Sequence, residues 1–354
     1  MLKKSFIALL MVSGLCLGLF LWLKSLIPQP DQDFSQTQPG ELRYLKQKPS
    51  QSRGKVLVVV TSSGIMGASG KATGYELTEL ARPYYVFLAN GFGVDIASPQ
   101  GGQPPVVIDR DDLGPFDYAF LNDPQAQYKV NYSIPIAQAS AKDYQAIFFV
   151  GGKGTMFDFP NNTSIQVLVR DFYRSGKVIG AVCHGPAALV HVRMETGELL
   201  VAGRRISAFT NEEELFLIPD AEQHLPFLLE DRLRAQGAIM QPGPAYLEQV
   251  SVDGQLITGQ NPWSTWQTVE RMVEAMGYTP VPRQVTPAEY TVELLLAYEQ
   301  GGFAQAAQKL QQLNSDQGTE IDRRLLAMHG VVAAMRWELG KTLDLLRLLR
   351  RSKK

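Results

Sequence analysis

Cysteine and histidine are scarce in this chain. Its 354 residues include two cysteines, Cys16 and Cys183, and four histidines. Cys16 lies in an apolar N-terminal run, so a disulfide with Cys183 is not expected. No cysteine spacing suggests zinc, and the scattered histidines make no cluster; no metal or other cofactor is expected. An excess of either charge is lacking too, because 34 Lys and Arg balance 35 Asp and Glu. That balance shows no electrostatic footprint of a nucleic-acid partner. What is abundant is apolar: 45% of the chain, enough for one large or two modest domains with a core of their own.

Four regions are expected. Residues 1–27 read as a membrane segment. Lys3 and Lys4 precede an uncharged stretch from Ser5 to Leu23, and Lys24 closes it. Nineteen largely apolar residues can cross a bilayer. No good cleavage site follows, so an uncleaved anchor is favoured over a removed signal. The two leading lysines favour an inside N-terminus. The expected location is the bacterial inner membrane, single-pass, with the catalytic domain in the periplasm; secretion to the periplasm is the alternative. Residues 28–53, rich in Pro, Gln and Ser, are expected to be a flexible linker.

Residues 54–282 are expected to be an α/β domain. Val56–Val60, Val94–Pro99, Ala146–Val150 and Val178–Val182 read as short strands, the first an apolar run of β-formers suited to burial on both faces. Helical periodicity alternates with them, at Thr73–Leu88 and Ile165–Ser175. Pro83 in the first should kink that helix or delay its start. Alternating strands and helices imply a parallel sheet with helices on both faces, and sites at the carboxyl ends of strands. Two glycine-containing turns fall at such ends. One is Gly151-Gly152-Lys153-Gly154. The other is Cys183-His184-Gly185-Pro186, where strand, sharp turn and helical segment have the form of a nucleophile elbow with Cys in place of Ser. A thiol at a helix N-terminus is expected to favour the thiolate.

Residues 283–354 change character, with helical periodicity and no strands. Helix–Gly–helix patterns around Gly301-Gly302 and Gly340 suggest tetratricopeptide-like hairpins. The extension is either a plain helical cap on the domain or a module for a protein partner.

Several ordered motifs carry a family resemblance: Thr73-Gly74 with Glu79 and Pro83-Tyr84, Gly91 to Gly102, Gly151 to Pro160, Ala181 to Ala187, and Thr258 to Pro262. Over about residues 55–280 the chain resembles the ThiJ/PfpI superfamily, with its class I glutamine amidotransferase-like fold. Within it the chain is similar to the heat-shock chaperone and glutathione-independent glyoxalase III branch. The resemblance implies a flavodoxin-like doubly wound parallel sheet. It also implies a catalytic set of Cys183 as nucleophile, His184 as its neighbour, Glu79 as the carboxyl on the sulfur, and Glu214 as the acid that orients the imidazole. Glu212 or Glu213 is the alternative for that last role. Backbone N–H groups of Gly152 and His184 would form the oxyanion hole, and Gly151 and Lys153 are candidate binding residues.

The expected activity is that of a glyoxalase III-like lyase of the D-lactate dehydratase type, converting methylglyoxal to D-lactate without glutathione, or of a deglycase. The expected substrate is a small aldehyde. A holding chaperone or a redox-sensing binding protein without turnover is the alternative, and a homodimer is a further expectation. Glutaminase activity is not expected, because no histidine stands two residues before a glutamate. A Glu beside a thiolate should have a raised pKa, since two anions in a dry pocket repel. One feature departs from the family turn, in which His occupies the position of Lys153. Lys153 either lowers the thiol pKa or points outward, and the outward direction is favoured.

Overall fold

The computed structural model describes residues 33–352 apart from 111, 317 and 318. The chain divides into two compact units, one spanning Phe34–Gln284 and the other taking up the chain from residue 285.

The first unit is built on a seven-stranded sheet. Its strands are β1 (Lys55–Val59), β2 (Gly93–Ser98), β3 (Ile134–Pro135), β4 (Ala146–Phe149), β5 (Val178–Val182), β6 (Val250–Asp253) and β7 (Leu256–Gly259). They lie in the order β6-β7-β5-β4-β1-β2-β3. All neighbours are parallel except β6 and β7, which form an antiparallel hairpin. The central strands are buried on both faces, which is why their sequences are apolar runs rather than alternations. Val56, Val58, Phe148 and Val182 face one buried cluster, while Leu57, Val59, Ile147, Phe149 and Ile179 face the other.

Helices α1 (Leu77–Ala89) and α7 (Thr265–Ala275) contribute to the first cluster, and α4 (Thr163–Arg174) to the second. Between them in the chain come α2 (Pro115–Leu121), α3 (Pro124–Asn131), α5 (Asn211–Leu217) and α6 (Leu229–Ala235). The strand order reverses between β1 and β4, so the carboxyl ends of β4 and β5 lie beside the switch point where such sheets place their sites. The fold is the expected flavodoxin-like α/β sheet carrying helices.

Three sequence expectations are corrected. Residues 34–53 are no flexible linker. Leu42 and Tyr44 are buried in the core, Asn90 Nδ2 donates to the Tyr44 hydroxyl, and Asn122 Nδ2 donates to the carbonyls of Ser35 and Thr37. Two apolar side chains in a polar stretch are enough to dock it. Second, α1 runs through Pro83 but begins only at Leu77, because Tyr75 and Glu76 are extended and pair with Val106 and Val107. Third, the membrane assignment does not stand. Among the described residues no helix is long and apolar enough to cross a membrane. The longest, α8 (Pro287–Ser315), carries charges and is broken at Gly301 and Gly302. Residues 1–27 themselves lie outside the described residues. The inner-membrane and periplasmic placement, and the membrane as a partner, are withdrawn.

The second unit contains α8, α9 (Arg323–Met335) and α10 (Leu339–Arg351). Its buried side chains include Leu294, Leu295, Leu310, Leu326, Leu345 and Leu348. Gly302, at φ 63° and ψ −159°, makes the break in α8 that a side chain would resist. The second turn is not at Gly340, which is helical. It falls at Arg336–Glu338, where Trp337 has φ 61°.

Candidate active site

The elbow follows directly from β5. Cys183 N–H donates to the Gly259 carbonyl at the end of β7, and Phe209 N–H donates to the Cys183 carbonyl. These bonds hold Cys183 at φ 59°, a conformation that costs a non-glycine residue on the order of 1–3 kcal/mol. The segment after it, Gly185–Leu189, is a five-residue 3₁₀ helix with Pro186 in its first turn.

The elbow brings four segments together. Cys183 Sγ lies 3.2 Å from His184 Nδ1, and His184 Nε2 lies 2.5 Å from Glu214 Oε2. The imidazole is 2% exposed and packs on the Phe209 ring at 4.6 Å. Glu79, on α1, is fully buried; its Oε2 accepts from Gly151 N–H at 2.8 Å, and its Oε1 accepts no hydrogen bond among the described residues. The turn after β4 must be Gly-Gly here. A Cβ on Gly151 would stand 2.4 Å from Glu79 Oε2 and 2.8 Å from Cys183 Cβ, and one on Gly152 would stand 2.4 Å from the Gly74 carbonyl oxygen. Among the described residues the N–H groups of Gly152 and His184 donate no hydrogen bond, so both remain available to a ligand oxygen.

The surroundings set the protonation states. Burial, and then the charge of Glu79, push the Cys183 thiol well above its ordinary value, and Lys153 opposes them. The expected low-pKa thiol is therefore corrected. The thiol is buried, and the short 3₁₀ turn behind it is too brief to offset the loss of water. Burial also raises the Glu79 carboxyl, to about 7, against the neighbouring Cys183 thiol, the Gly151 N–H and the charges of Arg82 and Lys153. Burial would raise Glu214 as well, but the charge and hydrogen bond of His184, together with Lys153, hold it below the ordinary carboxylate range.

Cys183, His184, Glu79, Glu214, Gly151, Gly152 and Lys153 thus occupy one site. Of the two alternatives to Glu214, Glu213 is consumed elsewhere: it accepts from Thr210, from Tyr246 N–H and from Asn261 Nδ2, and so fixes the start of α5. Glu212 is exposed. Lys153 does not point outward. Its Nζ stands 3.6 Å from Glu214 Oε1, an oxygen that is buried and accepts no hydrogen bond among the described residues. A buried carboxylate oxygen needs compensating charge, which turns the lysine inward.

Three contributors escaped sequence reasoning. The Thr155 hydroxyl lies 2.9 Å from the Gly152 carbonyl oxygen and 3.1 Å from that of His184, tying the two turns together. Arg82, three residues after Glu79 on α1, donates to the Asp112 carbonyl and pairs with buried Asp117. Glu76 is a further carboxyl raised by burial and by Glu79, to about 8. The Gly-Thr step and the three-residue spacing from Glu79 to Arg82 were visible, but nothing local marked them as facing the elbow.

A sequence profile of the DJ-1/PfpI family matches residues 71–275. A glutathione-independent glyoxalase of Schizosaccharomyces pombe is 32% identical over 238 residues, covering 64% of this chain and 99% of the relative. Among solved structures, the chain is similar to the 24 kDa rapid encystment protein of Francisella tularensis (35% identity, TM-score 0.60, 63% of this chain and 99% of that one). It is also similar to glyoxalase III of Candida albicans (27% identity, TM-score 0.57, 63% of this chain and 97% of that one). The chain therefore belongs to the DJ-1/PfpI family.

Proposed function

We propose that the Phe34–Gln284 unit is a cysteine-dependent, glyoxalase III-like enzyme that converts methylglyoxal to lactate without glutathione. The observation that carries the reading is Cys183 at a strained elbow between a carboxyl raised to about 7 and an imidazole bonded to a second carboxylate. Relatives that align over nearly their whole length bear the name glutathione-independent glyoxalase, which supports it.

The Cys183 thiol gives its proton to His184 Nδ1, and Sγ adds to the aldehyde carbon, forming a C–S bond and a hemithioacetal oxyanion. The N–H groups of Gly152 and His184 receive that oxyanion. Glu214 holds the imidazole and balances the imidazolium. A carboxyl that titrates near 7 can both take and return a proton, so Glu79 removes the C1 proton and delivers it to C2 through an enediol, while the His184 imidazolium gives its proton to the C2 oxygen. The result is a 2-hydroxyacyl thioester. Water then breaks the C–S bond, releasing the 2-hydroxy acid and restoring the thiol. One water is added overall, the aldehyde carbon is oxidised and the ketone carbon reduced, and no external redox partner is needed.

The test follows methylglyoxal loss and lactate formation without glutathione, for the wild-type chain and Cys183→Ala. The variant should lose at least about three orders of magnitude in kcat/KM. Equal rates in the two proteins, or none in either, would overturn the reading.

A further inference from the structure

Lys153 lies in the turn after β4, and its place in the structure gives it a role. Glu214 has two carboxylate oxygens. Oε2 meets His184 Nε2 at 2.5 Å, and Lys153 Nζ stands 3.6 Å from Oε1. The same ammonium sits 5.7 Å from the centre of the Phe209 ring, and that ring packs on the imidazole of His184 at 4.6 Å. Both contacts of the lysine thus bear on His184: the carboxylate at one edge of the ring and the aromatic face against its plane. The side chain is 21% exposed, so water screens the ion pair less than it would at the surface.

The charges around the thiol make this cation consequential. Glu79 faces it from α1, with Arg82 behind, and Glu213 and Glu214 face it from α5, with His184 beside it. Forming a thiolate places one more negative charge among carboxyl groups. Of the two fixed cations, Arg82 is tied to the Asp112 carbonyl and Asp117, which leaves Lys153 to oppose that charge from the substrate-facing turn.

We propose that Lys153 is a positioning residue of this site: its ammonium clamps Glu214 and Phe209 around His184 and supplies the permanent positive charge against which the Cys183 thiolate forms. A neutral side chain at this turn would leave that charge unsupplied. The proposal rests on Cys183 acting as a thiolate, as in the proposed function, but its readout needs no turnover.

The experiment measures alkylation of Cys183 by iodoacetamide against pH in the full chain, with the Cys183 peptide quantified by mass spectrometry so that Cys16 does not contribute. Lys153→Met and Lys153→Gln should move the alkylation midpoint upward by about one pH unit or more, the size expected for removing one close charge. Lys153→Arg keeps the charge and should hold the wild-type midpoint. Lys153→His should move with the neutral variants, because an imidazole is uncharged in the alkaline range where this thiol titrates. Thermal unfolding of each variant identifies any that do not fold, and Lys153→Arg decides the matter if both neutral variants fail. A neutral variant with the wild-type midpoint overturns the proposal, as does an arginine variant that moves as far as the neutral ones. Loss of the glyoxalase reading would leave these midpoints untouched, because alkylation requires the thiolate alone.

Discussion

Glu79 and Glu214 reach the elbow from different helices, one on α1 and one on α5. Both are buried, and burial alone would raise both. They nonetheless part. The Glu79 carboxyl, on the sulfur and the Gly151 amide, rises to about 7, while Glu214, between His184 and Lys153, falls below the ordinary range. Burial sets the common starting point, and the charge of the nearest partner decides the sign. Glu79 has only a weakly polar thiol and one amide beside it, whereas the charge and hydrogen bond of His184, together with Lys153, hold Glu214 down. Pairs of carboxyls pushed apart in this way mark out the acid–base group and the electrostatic support.

The contrast breaks most visibly at Glu214. Glu214→Gln removes the charge on which the imidazolium rests, and kcat/KM for methylglyoxal should fall on the order of a hundredfold with the fold intact. Steady-state kinetics beside a circular dichroism spectrum checks this, and unchanged kinetics would mean that the ionised side of the comparison has no part in turnover.

Glu79→Gln should also lose activity, but its stability should move the other way. Its pKa of about 7 in the folded chain stands above the ordinary 4.5, so between those values the native state holds a proton that the unfolded state has released. Stability from this group is present below pH 4.5 and is lost as pH rises through 7. The variant should therefore be more stable than wild type at pH 8, by about 2–3 kcal/mol, with the gain absent at pH 4.5. Urea unfolding at the two pH values reads the difference. Glu76, raised to about 8, adds a slope of the same sign that the variant retains. A variant equally destabilised at both pH values would contradict the raised carboxyl.

The smallest effect concerns the support of α5. Tyr246→Phe removes the hydroxyl that donates to the Glu213 carbonyl but keeps the Tyr246 N–H bond to Glu213 Oε1. Thermal unfolding should show a loss of about 1 kcal/mol, with kcat/KM within about twofold of wild type. A large kinetic effect from so small a loss would show that Glu214 is held less firmly than its neighbour's bonds suggest.

The strands, the elbow and the residues gathered at it, Cys183, His184, Glu79 and Glu214, were legible because each rests on a short pattern. Apolar runs mark strands buried on both faces, and small residues beside a cysteine mark a cramped turn. Expectations failed where a local pattern met a distant partner. Residues 34–53 look polar, yet Leu42 and Tyr44 find the core. Lys153 looks like a surface lysine until Glu214, sixty-one positions on, turns it inward. Thr155 and Arg82 gave no local sign at all. The apolar run near the N-terminus suggested a bilayer, but among the described residues no helix supports one.

By itself the sequence determined the α/β alternation, the cysteine that ends β5, and the glycines that let β4 and β5 end within contact of each other. These follow from periodicity and steric demands that a few consecutive residues express. Only the tertiary structure decided which carboxyl is raised, which is lowered, and that burial pushes the thiol up. A protonation state is a sum over charges and lost water contributed by segments around 79, 153, 183 and 214. No stretch of chain contains that sum until the sheet brings those segments together.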